Sequence, residues 1–199
     1  MPAMSSLIAH LAAGATAYAC RSPRELRAFD APLLAACIAL AVLPDLDYLL
    51  WWGAGMQLEP RVTHSLGFAA ASAGLAWALL SLPSSSRQRT RTAAPILFAA
   101  AASHELLDFL VGVHPSPWLW PFTSATFVSA VGLLPSAGRL DFANPYLWRN
   151  LLIEAGVLGP AMLALCAVLR PRWRLQRPVQ LGLAVVAAAS LCWSLSLPR

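Results

Sequence analysis

The chain alternates long apolar stretches with short polar segments in which arginine is frequent. The apolar stretches lie at residues 5–20, 31–52, 65–82, 92–112, 150–169 and 179–197. A helix needs about 20 apolar residues to cross the hydrocarbon of a bilayer, and all but the first stretch approach that length. We therefore expect an all-α fold: a polytopic integral membrane helical bundle with about six spans, forming a single domain over residues 1–199.

Two parts of the pattern are irregular. The second stretch contains the sequence LPDLD at 43–47, where the proline is expected to kink the helix and free backbone groups beside two carboxylates. Residues 113–149 form one long connection, rich in Pro, Trp and Ser, that is long enough to fold over a site. We expect the functional core at about residues 5–165, with 179–197 as a C-terminal span beyond it.

Composition supports the membrane assignment. Hydrophobic residues make up 58% of the chain and charged residues 12%, against about 25% charged residues in soluble domains. The mean hydropathy is +0.62. The net charge of +5 would suit a nucleic-acid partner, but all 14 basic residues are arginines that cluster between apolar stretches. We expect them to face anionic lipid headgroups, and we expect no nucleic-acid partner.

The distribution of arginine predicts the orientation. Ten arginines follow the first, third and fifth stretches, whereas three follow the second and fourth. Because cytoplasmic loops carry the excess of positive charge, the ten-arginine loops are predicted to be cytoplasmic and the N-terminus external. The predicted location is the bacterial inner membrane.

The clearest chemical signal is the sequence SHELLD at 103–108, near the end of the fourth stretch. A helix places His104 and Asp108 on one face, one turn apart, where an imidazole and a carboxylate can bind one metal ion. Ionisable groups inside a membrane segment are costly and usually mark a functional site. We therefore interpret this pair as metal ligands.

Other polar residues are predicted to share the depth of this pair. With the N-terminus outside, the candidates at the external ends of the stretches are His10, Asp45, Asp47, His64, His104, Asp108 and Glu154. Polar residues scattered at random along the chain would not be expected to lie at the same depth in the membrane. The pattern predicts one site at the level of the outer headgroups.

Four segments together resemble the membrane-bound, metal-dependent hydrolases of the YdjM-like family. They are the N-terminal helix with His10, LPDLD at 43–47, RVTHSL at 61–66 and SHELLD at 103–108. The resemblance covers about residues 5–165 and implies His10, Asp45, His64, His104 and Asp108 as metal ligands. Glu59 stands where that family often has a further histidine.

A more distant likeness is to zinc-dependent phospholipase C and the P1-type nucleases. It implies His114 as a further ligand and a metal or catalytic role for Glu154. Asn150 stands where that pattern has a histidine, so one or two metal ions are expected rather than three.

These residues predict a metal-dependent hydrolase of a phosphoester such as a phospholipid or lipid-linked phosphate. The expected metal is zinc, with manganese or iron as alternatives. Glu154 or Asp47 is the expected proton acceptor, and Arg61 is expected to neutralise the phosphate. Which of Asp45 and Asp47 is a ligand stays open, with Asp45 favoured.

Two other function classes stay open. The sequence HELLD at 104–108 reads as HExxD, one ligand away from the HExxH of metallopeptidases, with Glu105 as the base. Buried Asp and His residues also build metal or proton transporters. A transporter needs polar residues through both leaflets, and the inner halves of the stretches carry few of them.

Overall fold

The computed structural model describes residues 6–21, 30–56, 59–82, 87–112, 114–130, 132–136, 142–170 and 173–197. Within these residues the secondary structure is helical, apart from one isolated bridge between Ser116 and Phe127. The α-helices are α1 (Leu7–Ala19), α2 (Ala31–Val42), α3 (Asp47–Ala54), α4 (Leu66–Ser81), α5 (Arg87–Val111), α6 (Pro145–Leu169) and α7 (Arg177–Ser196). The predicted all-α fold is confirmed.

Six apolar helices correspond to the six apolar stretches. Residues Ala93–Val111 of α5, together with α6 and α7, are long and apolar enough to cross a membrane. The apolar segments Leu7–Ala19, Ala31–Leu46 and Leu66–Ser81 are shorter. Large hydrophobic side chains on the outside of the bundle, such as Leu75 and Leu181, are exposed. This suits a bundle whose solvent is lipid.

Helix α6 begins earlier than the apolar pattern predicts, at Pro145 rather than near 150. The Asn144 side chain accepts a hydrogen bond from the Tyr146 amide at 3.0 Å, which caps the helix. Pro145 follows in the first helical position, where its missing N–H costs nothing. The long connection therefore ends about five residues sooner than the sequence suggests.

The second stretch is not one helix. It ends as an α-helix at Val42, continues as a 3₁₀ turn over Leu43–Leu46, and resumes as α3. Pro44 lacks the N–H that a continuous helix would use. The change in helix type places Asp45 within the turn and Asp47 at the start of α3, and both side chains are buried.

Helix α1 packs against α2, α5 and α6. A Cβ at Gly14 would lie 2.6 Å from the Cys37 carbonyl oxygen of α2, so glycine is required for this close approach. Ala9 and Ala13 of α1 pack in a cluster with Leu107 of α5 and Leu158 of α6. His10 on the same helix is consequently enclosed by neighbouring helices.

The long connection packs over the ends of α4, α5 and α6. The Leu66 amide at the start of α4 donates to the Trp118 carbonyl at 3.0 Å. At the end of α5, the Leu110 carbonyl accepts from the Leu133 amide at 2.6 Å. The Asn150 side chain of α6 donates to the Ser136 carbonyl at 2.6 Å. The connection is thus held against the end of the bundle where the candidate ligands of α5 lie.

Candidate metal centre

Helix α5 presents His104 and Asp108 on one face, as their spacing predicts. The His104 Nε2 atom lies 3.4 Å from Asp108 Oδ2. His104 is fully buried, and the Asp108 side chain is 12% exposed. The pair is therefore positioned to offer one nitrogen and one oxygen to a common point.

Two further side chains from other segments meet this pair. Asp45 comes from the 3₁₀ turn and His64 from the residues before α4, and one ligand atom from each of the four side chains lies within 4.8 Å of the others. The two Nε2 atoms of His64 and His104 are 3.3 Å apart. Asp45 Oδ1 lies 3.7 Å from His104 Nε2 and 3.9 Å from His64 Nε2. The structure thus brings Asp45, His64, His104 and Asp108 together as one cluster, which we call the metal cluster.

His10 of α1 borders the metal cluster. Its Nε2 atom lies 3.5 Å from Asp108 Oδ1 and 3.9 Å from Asp45 Oδ2. Its ring stacks on the His104 ring, with the centroids 3.9 Å apart and the planes 15° from parallel. Five of the six residues predicted as metal ligands are therefore adjacent in the structure.

These five side chains are contributed by α1, the 3₁₀ turn, the segment before α4, and α5, which is the order of the motifs along the sequence. The sequence model of the YdjM inner membrane protein family matches residues 4–197. The chain belongs to the YdjM inner membrane protein family. A search of curated proteins and a search of solved structures each return no significant match.

The family assignment and the apolar helices support a multi-pass location in the inner membrane. The resemblance to the YdjM-like family is therefore confirmed and extends beyond the expected residues 5–165. The likeness to zinc-dependent phospholipase C and P1-type nucleases stays a prediction, because neither search returns such an enzyme.

In this YdjM family member, hydrogen bonds fix the tautomer of His104. Its Nδ1 atom lies 2.9 Å from the Ala41 carbonyl oxygen. A carbonyl oxygen only accepts hydrogen bonds, so Nδ1 carries the proton and donates it. The other ring nitrogen, Nε2, faces the cluster, 3.4 Å from Asp108 Oδ2. A backbone carbonyl in this position is a common way of orienting a metal-binding histidine.

The tautomer of His64 is fixed by a hydroxyl group. Thr63 Oγ1 donates to Asp47 Oδ2 at 3.3 Å and lies 3.1 Å from His64 Nδ1. Because the Thr63 proton is used on Asp47, the hydroxyl accepts from Nδ1, and Nε2 again keeps its lone pair. The Arg61 Nη2 group donates to that Nε2 at 2.7 Å. Burial, followed by the positive charge of Arg61, holds the pKa of His64 well below its ordinary value.

The sequence alone does not reveal this role of Thr63. The neighbouring Ser65 caps α4, since its hydroxyl accepts from the Phe68 amide at 3.0 Å. The available signal was a hydroxyl next to a candidate ligand. The direction in which the Thr63 hydroxyl donates its hydrogen bond depends on the position of Asp47, which is 16 residues away along the chain.

Asp47 and Arg61 form a two-point ion pair beside the cluster. Arg61 Nε donates to Asp47 Oδ2 at 2.8 Å, and Nη2 donates to Oδ1 at 3.1 Å. The Arg61 guanidinium also lies over the Tyr48 ring, 4.8 Å from its centroid. Both Asp47 oxygens are therefore engaged by Arg61, whereas Asp45 is the carboxylate that faces the imidazoles.

Glu154 and His114 lie outside the four-residue group among the residues that the structure describes. The Glu154 carboxylate accepts from the Ser6 amide at 3.0 Å and from the Ser6 hydroxyl. Ser6 is the N-cap of α1, one turn before His10. Glu154 thus fixes the start of the helix that carries His10. His114 is half-buried, just beyond the end of α5.

The residues present fit a divalent metal ion. The cluster combines imidazole nitrogens with carboxylate oxygens, the ligand set of zinc, manganese and iron sites. Both Asp45 oxygens are buried and have no hydrogen-bond donor within the described residues. Buried oxygens without donors are costly, and a cation between them and the two Nε2 atoms would remove that cost.

Proposed function

We propose that this protein is a membrane-embedded, metal-dependent hydrolase of a phosphoester. The observation that carries the proposal is the convergence of Asp45, His64, His104 and Asp108, with their ligand atoms within 4.8 Å of one another. The short distance of 3.3 Å between the Nε2 atoms of His64 and His104, beside two carboxylates, supports metal binding over a network of interhelical hydrogen bonds.

The metal cluster and His10 would hold the ion. Zinc is the metal we favour, with manganese or iron as alternatives and one or two ions in total. When bound, such an ion lowers the pKa of a water molecule toward about 7 and stabilises negative charge on a phosphoryl oxygen.

Arg61 is the proposed phosphate-binding residue. Its side chain is 20% exposed, and its Nη2 group lies next to the His64 ligand atom. A planar guanidinium binds phosphate oxygens through paired hydrogen bonds. The two-point contact with Asp47 holds this group at the cluster, so Asp47 would position Arg61 as well as serve as a candidate proton acceptor.

Glu154 is the other candidate proton acceptor. It is 3% exposed and lies within electrostatic reach of His10 and Asp108. Its carboxylate accepts hydrogen bonds from the amide and the hydroxyl of Ser6, which fix its position.

The substrate we propose is a phospholipid or another lipid-linked phosphate. The arginine distribution favours a cytoplasmic location for the loops after the first, third and fifth stretches. The metal cluster then faces the periplasm at the level of the outer headgroups, where the phosphates of lipids lie.

The test combines metal analysis with substrate screening. The purified protein is assayed for bound metal, for hydrolysis of bis(p-nitrophenyl) phosphate, and for hydrolysis of phospholipids in mixed micelles. His104→Ala should lose metal and activity together, whereas Ser103→Ala should keep both, because the Ser103 hydroxyl bonds only to Ala100 of its own helix in the described residues. A wild-type protein that binds no metal would refute the proposal.

A metallopeptidase is the second candidate function, and Glu105 favours it. Glu105 is 2% exposed, and its carboxylate oxygens have no hydrogen-bond partner within the described residues. It also lies within electrostatic reach of Asp108 and Arg61. If Glu105→Gln keeps the metal but abolishes turnover, Glu105 is the base and the peptidase assignment replaces the phosphohydrolase one.

A further inference from the structure

An apolar groove of about 580 Å³ runs between α1 and α6. It extends from Trp148 to Met162 on α6, which is about 21 Å at 1.5 Å per residue. One leaflet of the hydrocarbon core is about 15 Å thick. The groove is therefore longer along α6 than one leaflet is thick.

The width of the groove is suited to a single hydrocarbon chain. Its two walls are the facing sides of α1 and α6, so a flexible, elongated apolar group can follow it along the helices.

The shape of the groove comes from small residues between large ones. Ala12 and Gly159 line it, and a Cβ at Gly159 would meet no atom within 4 Å. Ile8, Trp148 and Leu152 also line it and are 58%, 54% and 62% exposed. The groove lies along a membrane-spanning helix, and its lining is almost entirely apolar. A hydrocarbon chain is therefore the ligand that suits it.

The polar residues of the groove connect it to the metal cluster. Ser6 and Glu154 line the groove and are hydrogen-bonded to each other. The Ser6 carbonyl accepts from the His10 amide at 3.2 Å. His10 in turn contacts Asp108 at 3.5 Å. One turn of α1 thus separates the polar part of the groove from the cluster.

We propose that this groove binds one acyl chain of a phospholipid, which brings the phosphate of that lipid to the metal cluster. The inference rests on the proposed function, since it assigns the substrate class of that site. It makes the protein selective for phosphoesters that carry a long chain, while a small soluble phosphoester needs only the cluster.

The test fills the groove without disturbing the cluster. Gly159→Leu places a side chain where the backbone leaves open space, and Gly182→Leu on α7 is the matched control because its Cβ position is equally open. Displacing about two methylene groups should lower kcat/KM by about tenfold for dimyristoyl phosphatidylglycerol in mixed micelles. Hydrolysis of bis(p-nitrophenyl) phosphate should stay within about twofold, and Gly182→Leu should change neither.

A second measurement tests lipid binding in the groove independently of turnover. Phosphatidylglycerol with a photoreactive diazirine in its acyl chain should label α1 and α6 of the wild-type protein, and Gly159→Leu should reduce that labelling by about tenfold while Gly182→Leu does not. Labelling spread evenly over the exposed helices, unaffected by Gly159→Leu, would overturn the inference, as would an equal loss of activity on both substrates. A protein that hydrolyses neither substrate would refute the proposed function, and the labelling pattern would then still decide whether the groove binds the lipid.

Discussion

Replacing Thr63 by valine tests whether a hydroxyl outside the cluster controls metal binding. Valine keeps the size and branching of threonine but has no hydroxyl. The variant would lose two contacts, the 3.1 Å bond to His64 Nδ1 and the 3.3 Å bond to Asp47 Oδ2. His64 is 1% exposed, so water does not readily replace the missing partner. The imidazole is then free to rotate or to change tautomer.

The expected loss of zinc affinity is estimated from the effect of removing similar hydrogen-bond partners of metal-binding histidines in other proteins. Losing the residue that orients a metal-binding histidine typically weakens metal binding by about 10- to 100-fold, which is about 1.4 to 2.7 kcal/mol. We expect Thr63→Val to fall in this range in a zinc titration against a chromophoric chelator. Thr63→Ser keeps the hydroxyl and should restore affinity to within a few-fold of the wild type.

The control for this prediction is Thr16→Val. The Thr16 hydroxyl donates to the Ala12 carbonyl of its own helix at 2.8 Å, so its loss should leave zinc affinity unchanged. A Thr63→Val protein with wild-type affinity would show that the Thr63 contact does not orient His64. Weakening in Thr63→Ser with wild-type affinity in Thr63→Val would assign the effect to packing of the methyl group instead.

Three further predictions concern the metal, the base and the orientation. His104→Ala and Asp108→Ala should lose the bound metal in elemental analysis and should also lose the rise in unfolding temperature that zinc gives the wild type in detergent, whereas Ser190→Ala should keep both. Glu105→Gln should keep its metal and most of its phosphoesterase activity, because the proposed mechanism uses other carboxylates; loss of turnover with metal retained would contradict this. In a cysteine-free background, Ser124→Cys in the long connection should react with a membrane-impermeant maleimide from the periplasmic side, and labelling only from the cytoplasm would reverse the orientation.

The sequence predicts the apolar helices well because each one is an apolar stretch bounded by polar segments, although only three of the helices in the described residues are long enough to cross a membrane. It places the start of α6 too late, since Trp148, Arg149 and Asn150 interrupt the apolar pattern there. The structure begins the helix at the capping residue Asn144 instead. A hydropathy pattern predicts a loop where the last turn of a membrane helix is polar, because hydropathy carries no information about helix capping.

The parts of the site that depend on geometry within one helix were predictable from the sequence, and the parts that depend on contacts between distant segments were not. His104 and Asp108 share a face through helix geometry alone. The choice between Asp45 and Asp47 depends on the 3₁₀ turn at Pro44, which sets the directions of the two carboxylates. The role of Thr63 depends on contacts between separate segments, and no spacing rule predicts which way a loop hydroxyl points.

Charge balance is the strongest physical reason to expect a divalent cation at this site. Asp45 and Asp108 both face the cluster, while the charge of Asp47 is paired with Arg61. Protonation of His64 at Nε2 is opposed by the Arg61 guanidinium, which donates to that atom at 2.7 Å. Without a metal, the imidazoles of His10 and His104, whose Nε2 atoms lie 3.4 to 3.9 Å from these carboxylates, are left to offset their charge. Two carboxylates this close inside an apolar bundle repel each other strongly. A divalent ion held by the two carboxylates and His104 Nε2 would neutralise the site, and His64 Nε2 would join it once Arg61 turned away from that atom.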